Sequence, residues 1–236
     1  MFFDDGDTRE MNIFGSAGSN SYMPRAPRID VPGLIYHVTT RGTNQQPIFL
    51  SDRDRRDFLN LLSVTCSKFP FTLHAYCLMN NHFHLLIQTI QHSLSRTIQY
   101  VTSLYGQLFN NRYDRSGRVH QGRFHSIPVQ ENSYFLAAAR YIHLNPVKAG
   151  LVTKPEDYPW SNYGGLLRRE LDPLADSSFL LGYFGNDFEE SRIRYQQFVE
   201  SGINTPGTVT DRVLYRMRSW GNLNVILRRT SFAQIP

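Results

Sequence analysis

Runs of apolar residues at two distinct spacings divide the chain into predicted elements. Leu34 to Thr40 (LIYHVTT) is β-branched and aromatic, which predicts a strand. Ser51 can cap a helix in which Phe58, Leu61, Leu62 and Thr65 share a face, running to about Lys68. Phe71 to Met79 (FTLHAYCLM) and His82 to Gln88 (HFHLLIQ) predict two more strands, joined by a turn at Asn80 and Asn81. Leu94, Ile98, Val101, Leu104, Tyr105 and Leu108 recur at helical spacing from about Ser93 to Asn111.

Arg112 to Ser126 is polar and basic, with Gly117 and Gly122 as turn points. A third helix opens at Asn132 or Ser133 and is expected to end near Asn145, because Pro146 disfavours helical geometry in the residue before it. Glu156 to Asn162 predicts an irregular segment, and Glu189 to Ser201 a further helix. The first 22 residues carry no periodic apolar pattern and read as a mobile tail. The expected organisation is that tail over 1–22, a domain over 23–165 and a helical or irregular extension over 166–236. Strands alternating with helices around an adjacent strand pair predict an α+β domain with an antiparallel sheet.

Composition narrows the class. In 236 residues, 41% hydrophobic and 13% aromatic content suffices for a core, which excludes wholesale disorder. No stretch approaches the ~18 unbroken apolar residues of a membrane helix, and Met1 to Glu10 lacks signal-peptide character. A cytoplasmic protein with no membrane partner is therefore expected. Two cysteines, Cys66 and Cys77, can build neither a disulfide scaffold nor a zinc ribbon. The formal net charge is +5, and all but three of the 25 basic residues (Lys68, Lys148, Lys154) are arginine. Arginine's planar fork suits phosphates and base edges. An arginine-rich genome would leave the same bias, so composition suggests nucleic acid without establishing it.

The sharpest chemical feature is His82-Phe83-His84. Strand periodicity puts His82, His84, Leu86 and Gln88 on one face and Phe83, Leu85 and Ile87 on the other. Two imidazoles on one face can converge on a metal ion; the competing reading is a pair of hydrogen-bonded core histidines. On the third helix Tyr141 and Asn145, four residues apart, share a face that Tyr134 and Ala138 extend, while Phe135, Ala139 and Ile142 can face the core. A phenol beside an amide oxygen offers a nucleophile and an oxygen ligand. Taken alone, a tyrosine is more often a packing residue with a wet tip.

The blocks IYHVTTRG, YCLMNNHFHLLIQ, SGRVHQGRFHS and RYIHLNPVKAGLV, followed by DYPWSNY, resemble the HUH single-tyrosine transposases, and among these the REP-associated tyrosine transposase branch. The resemblance covers roughly Pro24 to Tyr163. It implies a ferredoxin-like antiparallel sheet with packed helices. It also implies Tyr141 as catalytic nucleophile, His82, His84 and Asn145 as metal ligands, and a divalent cation, Mg2+ or Mn2+. The implied activity is cleavage and rejoining of single-stranded or hairpin DNA at REP-type repeats through a 5′-phosphotyrosine. No nucleotide cofactor is implied; a nucleoid-associated setting is, and a monomer more than a dimer. Asn80 departs from the family's usual proline, which predicts a looser turn before His82.

Arg112, Arg115, Arg118 and Arg123, interleaved with Tyr113, His120 and Phe124, are candidate DNA contacts, since arginines neutralise phosphates and aromatics stack on unpaired bases. A solvated basic loop is the plainer alternative. Arg25 and Arg28 could form an arm on a hairpin. His37, His74, His120, His125 and His143 are read as structural or surface residues. The rival functions are a catalytically inactive, domesticated hairpin-binding protein, and a zinc hydrolase. The latter is disfavoured because Phe71 to Gln88 contains no acidic general base.

Overall fold

A computed structural model of the chain describes residues 30–203. Ile35–Arg41 forms β1, and the chain then rises into helix α1, Asp52–Lys68. Ser51 caps α1 by accepting from the Asp54 amide while the Asp54 carboxylate accepts from the Ser51 amide, a reciprocal capping box. β2 (Phe71–Leu78) and β3 (His82–Thr89) follow as a hairpin, then α2 (Leu94–Arg112), capped by Ser93. A fourth strand, β4 (His125–Val129), joins the far edge. The sheet order is β2-β3-β1-β4, and each neighbouring pair is antiparallel. This is the ferredoxin-like α+β arrangement expected for the HUH fold.

The sequence pattern did not predict β4. Its HSIPV stretch is short and contains Pro128, which pairs with Tyr36. Proline has no N–H to donate to a ladder, so it is tolerated on an edge strand such as this one, where its nitrogen can face away from the neighbour.

The sheet separates two cores. Tyr36, Val38, Phe83, Leu85 and Ile87 pack with Phe58 and Leu62 of α1 and Ile98, Val101 and Tyr105 of α2. The opposite face, carrying Ala75, Cys77 and Leu86, packs under α3 (Asn132–Lys148) through Phe135, Ala138, Ala139 and Ile142. Three further helices, α4 (Asn162–Arg168), α5 (Ser178–Leu181) and α6 (Phe188–Glu200), complete that second core with Tyr163, Leu180, Leu181, Tyr195 and Val199. The boundary expected at residue 165 falls inside α4, and residues beyond it share the core of α3. The 1–22 tail, Arg25, Arg28 and residues 204–236 lie outside the described residues.

Two expectations for α3 change. The helix does not stop near Asn145 but carries Pro146 in its last turn and continues to Lys148. So close to the end, a missing N–H removes at most one ladder bond. The face that carries Tyr141, Asn145, Tyr134 and Ala138 is also covered, where only that of Phe135, Ala139 and Ile142 was expected to meet the core: Ala138 is fully buried, Asn145 nearly so, and Tyr141 half-buried. A buried cluster on the other side of α3 explains why both faces are covered. Asn162 Oδ1 accepts from the Tyr76 amide (2.9 Å) and lies 3.1 Å from His143 Nε2. His143 Nδ1 meets the Tyr195 hydroxyl at 2.7 Å. With Nε2–H donating to the amide oxygen, Nδ1 accepts from Tyr195, so the ring is satisfied while neutral. Burial pushes its pKa down to about 4, consistent with that role.

Gly42 closes β1 onto the turn before His82. Its amide donates to the Asn81 carbonyl (2.8 Å), and a Cβ there would stand 2.1 Å from the Gln46 carbonyl oxygen and 2.9 Å from Ile48 Cγ2. Backbone cannot yield as a flexible side chain does. Gly42→Ala is therefore expected to lower unfolding free energy by about 1–3 kcal/mol, the usual scale of overpacking. Urea denaturation measures it, and an unshifted midpoint would remove the close approach from the account.

Candidate active site

Residues facing each other across an antiparallel pair point to the same side of the sheet. Arg41 pairs with His82, Thr39 with His84 and His37 with Leu86, so His37, Thr39, Arg41, His82 and His84 all occupy the face beneath α3. Cys77 and His125 lie in the same cross-strand row as Thr39 and His84.

The two motif histidines stand with ring centroids 5.0 Å apart and planes nearly perpendicular. The Tyr141 ring descends from α3 to 5.5 Å from the His84 ring and 5.9 Å from that of His37, edge-on to both. One helical turn on, the Asn145 side-chain nitrogen donates to the Tyr141 carbonyl (2.8 Å). That bond orients the amide, and its oxygen is the atom that could serve a cation. The four residues singled out from the sequence as nucleophile and ligands thus sit on two facing elements.

Asn80 proves well anchored. Its carbonyl accepts from the Ile48 and Phe49 amides (2.9 and 3.0 Å), and its side-chain oxygen accepts from Arg55 at 2.5 Å. Arg55 in turn rests against the rings of Phe49 and Trp160. Side-chain bonding supplies the rigidity expected to be missing without proline. Asn81 continues the anchor, its side-chain oxygen lying 2.7 Å from His82 Nδ1. With Nδ1 so engaged, a ligand role for His82 would fall to its opposite ring nitrogen, Nε2.

Four neighbours of the site were not singled out. His37, only 4% exposed, places Nε2 3.0 Å from His84 Nδ1 and stacks on that ring with centroids 5.2 Å apart. The Thr39 hydroxyl lies 3.1 Å from the same Nδ1. Arg41 is exposed beside His82, its fork directed by two bonds to Gln121 Oε1. The Lys148 ammonium lies over the Tyr141 ring, 5.0 Å from its centroid. Period-two alternation in IYHVTTR already put His37, Thr39 and Arg41 on one face; what the sequence lacked was the register to β3. Lys148 reaches Tyr141 because α3 runs two turns past it.

The basic segment divides. Arg112 pairs with both Asp54 and Asp57, joining α2 to α1. Burial would raise the Asp54 carboxyl, but hydrogen bonds from Tyr113 and Arg112 outweigh it and hold its pKa below the ordinary value. Arg112 is thereby committed to the fold. Arg115, Arg118 and Arg123 are exposed, Arg115 donating to Gln46 Oε1 (2.8 Å). His120 anchors the loop that carries them, facing Phe83 and Tyr105, with both ring nitrogens buried and without a protein hydrogen-bond partner.

The description "Transposase IS200 like" matches residues 30–145. Those residues are therefore similar to the IS200-like transposase family over just under half of the chain. A Haemophilus influenzae protein named as a REP-associated tyrosine transposase is 28% identical over 153 residues, covering 60% of this chain and 86% of that protein. A solved structure of a REP-associated tyrosine transposase bound to a REP hairpin matches with a TM-score of 0.53 at 20% identity. It covers 66% of this chain and 94% of that one, and at that identity the likeness is one of fold. The resemblance carried by the sequence blocks is borne out at the level of family and fold. No helix among the described residues of this chain is long and apolar enough to cross a membrane.

Burial pushes the His120 pKa down to about 4 from an ordinary 6.5, so the folded protein keeps the ring neutral where the unfolded chain would protonate it. Stability from this group is complete above about pH 6.5 and is lost as pH falls toward 4, amounting to about 3 kcal/mol by the lower end. His120→Leu should flatten that acid limb in melts recorded from pH 7 to 4. An equal acid loss in wild type and variant would exclude His120 as its source.

Proposed function

We propose that this chain cleaves and rejoins single-stranded or hairpin DNA of the REP type, with Tyr141 as nucleophile and a divalent cation at the His pair. The observation that carries the reading is the Tyr141 ring held edge-on against His84, two turns before a lysine that covers it. The REP hairpin held by the solved relative of like fold supports the substrate class.

The donor set fits a cation with open positions. Among the described residues no three or more His, Cys, Asp or Glu side chains gather to hold a metal. The candidate ligands are two imidazoles and the Asn145 amide oxygen, a mixed N and O set that leaves room for substrate, and Mg2+ or Mn2+ is the cation that the family resemblance implies. Such an ion supplies Lewis-acid offset of charge on the scissile phosphate.

The remaining steps belong to the chain's own residues. Tyr141 Oη forms a bond to phosphorus as the bond from phosphorus to the 3′-oxygen breaks, giving a 5′-phosphotyrosine and a free 3′-OH. The phenolic proton leaves Oη and one proton is returned to the 3′-oxygen, so the step is balanced without an external reductant or nucleotide. Rejoining is the reverse attack by another 3′-OH. A free phenol is a weak nucleophile at neutral pH, and the Lys148 ammonium beside the ring favours negative charge on Oη. Arg41 can exchange the Gln121 oxygen for phosphate oxygens at no change of position. Arg115, Arg118 and Arg123 would contact the flanking backbone, with Arg25 and Arg28 as a further arm.

With a labelled REP-type hairpin and Mn2+, wild type should give a covalent band on a denaturing gel. Tyr141→Phe should abolish that band while hairpin binding survives, and His82→Ala with His84→Ala should remove the metal-dependent cleavage. Cleavage in the phenylalanine variant would sink the assignment of the nucleophile. Hairpin binding by wild type without any cleavage would instead identify an inactive DNA-binding protein.

Lys148→Ala should slow single-turnover cleavage by about 10–100-fold, the scale of a Coulomb interaction across ~5 Å in a partly wet site, with hairpin affinity little changed. A fall in affinity with the cleavage rate intact would move Lys148 from the nucleophile to the general DNA surface.

A further inference from the structure

The imidazoles of His37 and His84 meet nitrogen to nitrogen, Nε2 to Nδ1 at 3.0 Å, inside the sheet face that α3 covers. Two neutral rings can share that contact in only two ways. In one, His84 Nδ1–H donates to His37 Nε2, and His84 keeps a lone pair on its own Nε2. In the other, His37 Nε2–H donates to His84 Nδ1, and the proton of His84 sits on Nε2. The first leaves His84 able to ligate through Nε2, and the second blocks it.

We infer that His37 is a positioning residue that holds His84 in the Nδ1–H tautomer and fixes its ring plane, so that Nε2 is presented to the cation. Three features support this. His37 is almost fully buried, and stacking at 5.2 Å with planes 28° apart limits rotation of either ring about its χ2. Thr39, directly across the ladder from His84, places its hydroxyl 3.1 Å from the same Nδ1, so both neighbours address one nitrogen. His37 also stands edge-on to Tyr141 at 5.9 Å, which ties the orientation of the ligand to that of the nucleophile. Partners behind a ligating histidine typically set metal affinity by about 10–100-fold. The other motif histidine has a different device for the same end, the Asn81 side-chain oxygen at its Nδ1 (2.7 Å).

The inference rests on the cation reading above, and the test separates the two. Long-range 15N–1H correlation spectra of the full-length protein without metal report the His84 tautomer. Mn2+ titration followed by electron paramagnetic resonance, without DNA, reports affinity. Wild type should show His84 protonated at Nδ1. His37→Leu should give a mixed tautomer and lose about 10–100-fold in Mn2+ affinity. His37→Gln, whose amide oxygen can take the place of Nε2 as acceptor, should recover most of both. Should leucine at 37 unfold the sheet, His37→Asn, whose shorter amide falls short of His84, carries the comparison against His37→Gln. An unchanged tautomer and unchanged Mn2+ affinity in a folded His37→Leu, with His84→Ala still losing Mn2+, would overturn the inference and leave the cation reading standing. Wild type that binds no Mn2+ would overturn both.

Discussion

A slip of one residue between β1 and β3 would turn His37, Thr39, His82 and His84 into the core under α1 and α2, and would bring Val38, Phe83 and Leu85 up against α3. The pairing of Thr39 with His84 is therefore the constraint on which the site depends. It is held from both ends and both sides. Phe83 packs on Phe58 with ring centroids 4.7 Å apart, so the residue between the histidines is fixed by the opposite core. At the turn, Gly42 and Asn80 bond to their neighbours through the backbone, which sets the hairpin's exit against β1. The chemistry of one face is thus positioned by the packing of the other.

The second constraint is that α3 must approach the sheet closely enough for a phenol to reach the imidazoles. Alanines 138 and 139 supply that approach, both fully buried. A helix lying flat on a sheet still has an outer face, and here His143 occupies it. Covering that face needs partners for two ring nitrogens, which Asn162 and Tyr195 provide from α4 and α6. Residues beyond 165 are consequently part of what presses Tyr141 into place.

Sequence legibility followed the range of the signals involved. The elements α1, β2, β3 and α2 were readable because caps and periodicity are local: Ser51 and Ser93 stand where the helices begin. The face of His82 and His84 followed from alternation alone, and Tyr141 with Asn145 from helical spacing. His37 was unreadable as a site residue, since a lone histidine in an apolar strand has the same pattern whether it faces a core or a ligand. Only the pairing to β3 distinguishes them. β4 was hidden by Pro128 and its polar flanks. Lys148 was hidden by a rule applied too strictly: proline disfavours helical geometry in the residue before it, but in a final turn the helix loses only the one ladder bond of the missing N–H and can still close.

The arginine surplus has to be divided before it can be assigned to DNA. Arg55 is buried between aromatic rings and Asn80, Arg112 joins two carboxylates, and Arg192 and Arg194 pair with Glu189 and Glu190 along α6. These cations hold the fold, and a count of net charge includes them without distinction. Arg41, Arg115, Arg118 and Arg123 remain exposed on the β1 end and on the loop leading into β4. Where a cation stands directly over Tyr141, the proposed nucleophile, the chain uses one of its three lysines instead. An ammonium concentrates its charge at one atom on a flexible stem, whereas a guanidinium spreads it over a rigid fork. A rigid fork is suited to gripping phosphates that stay in place through cleavage and rejoining. A compact, movable charge is suited to an oxygen that, in the proposed reaction, is a phenol, then a phosphate ester, then a phenol again, and that division of labour accounts for both residue types better than net charge does.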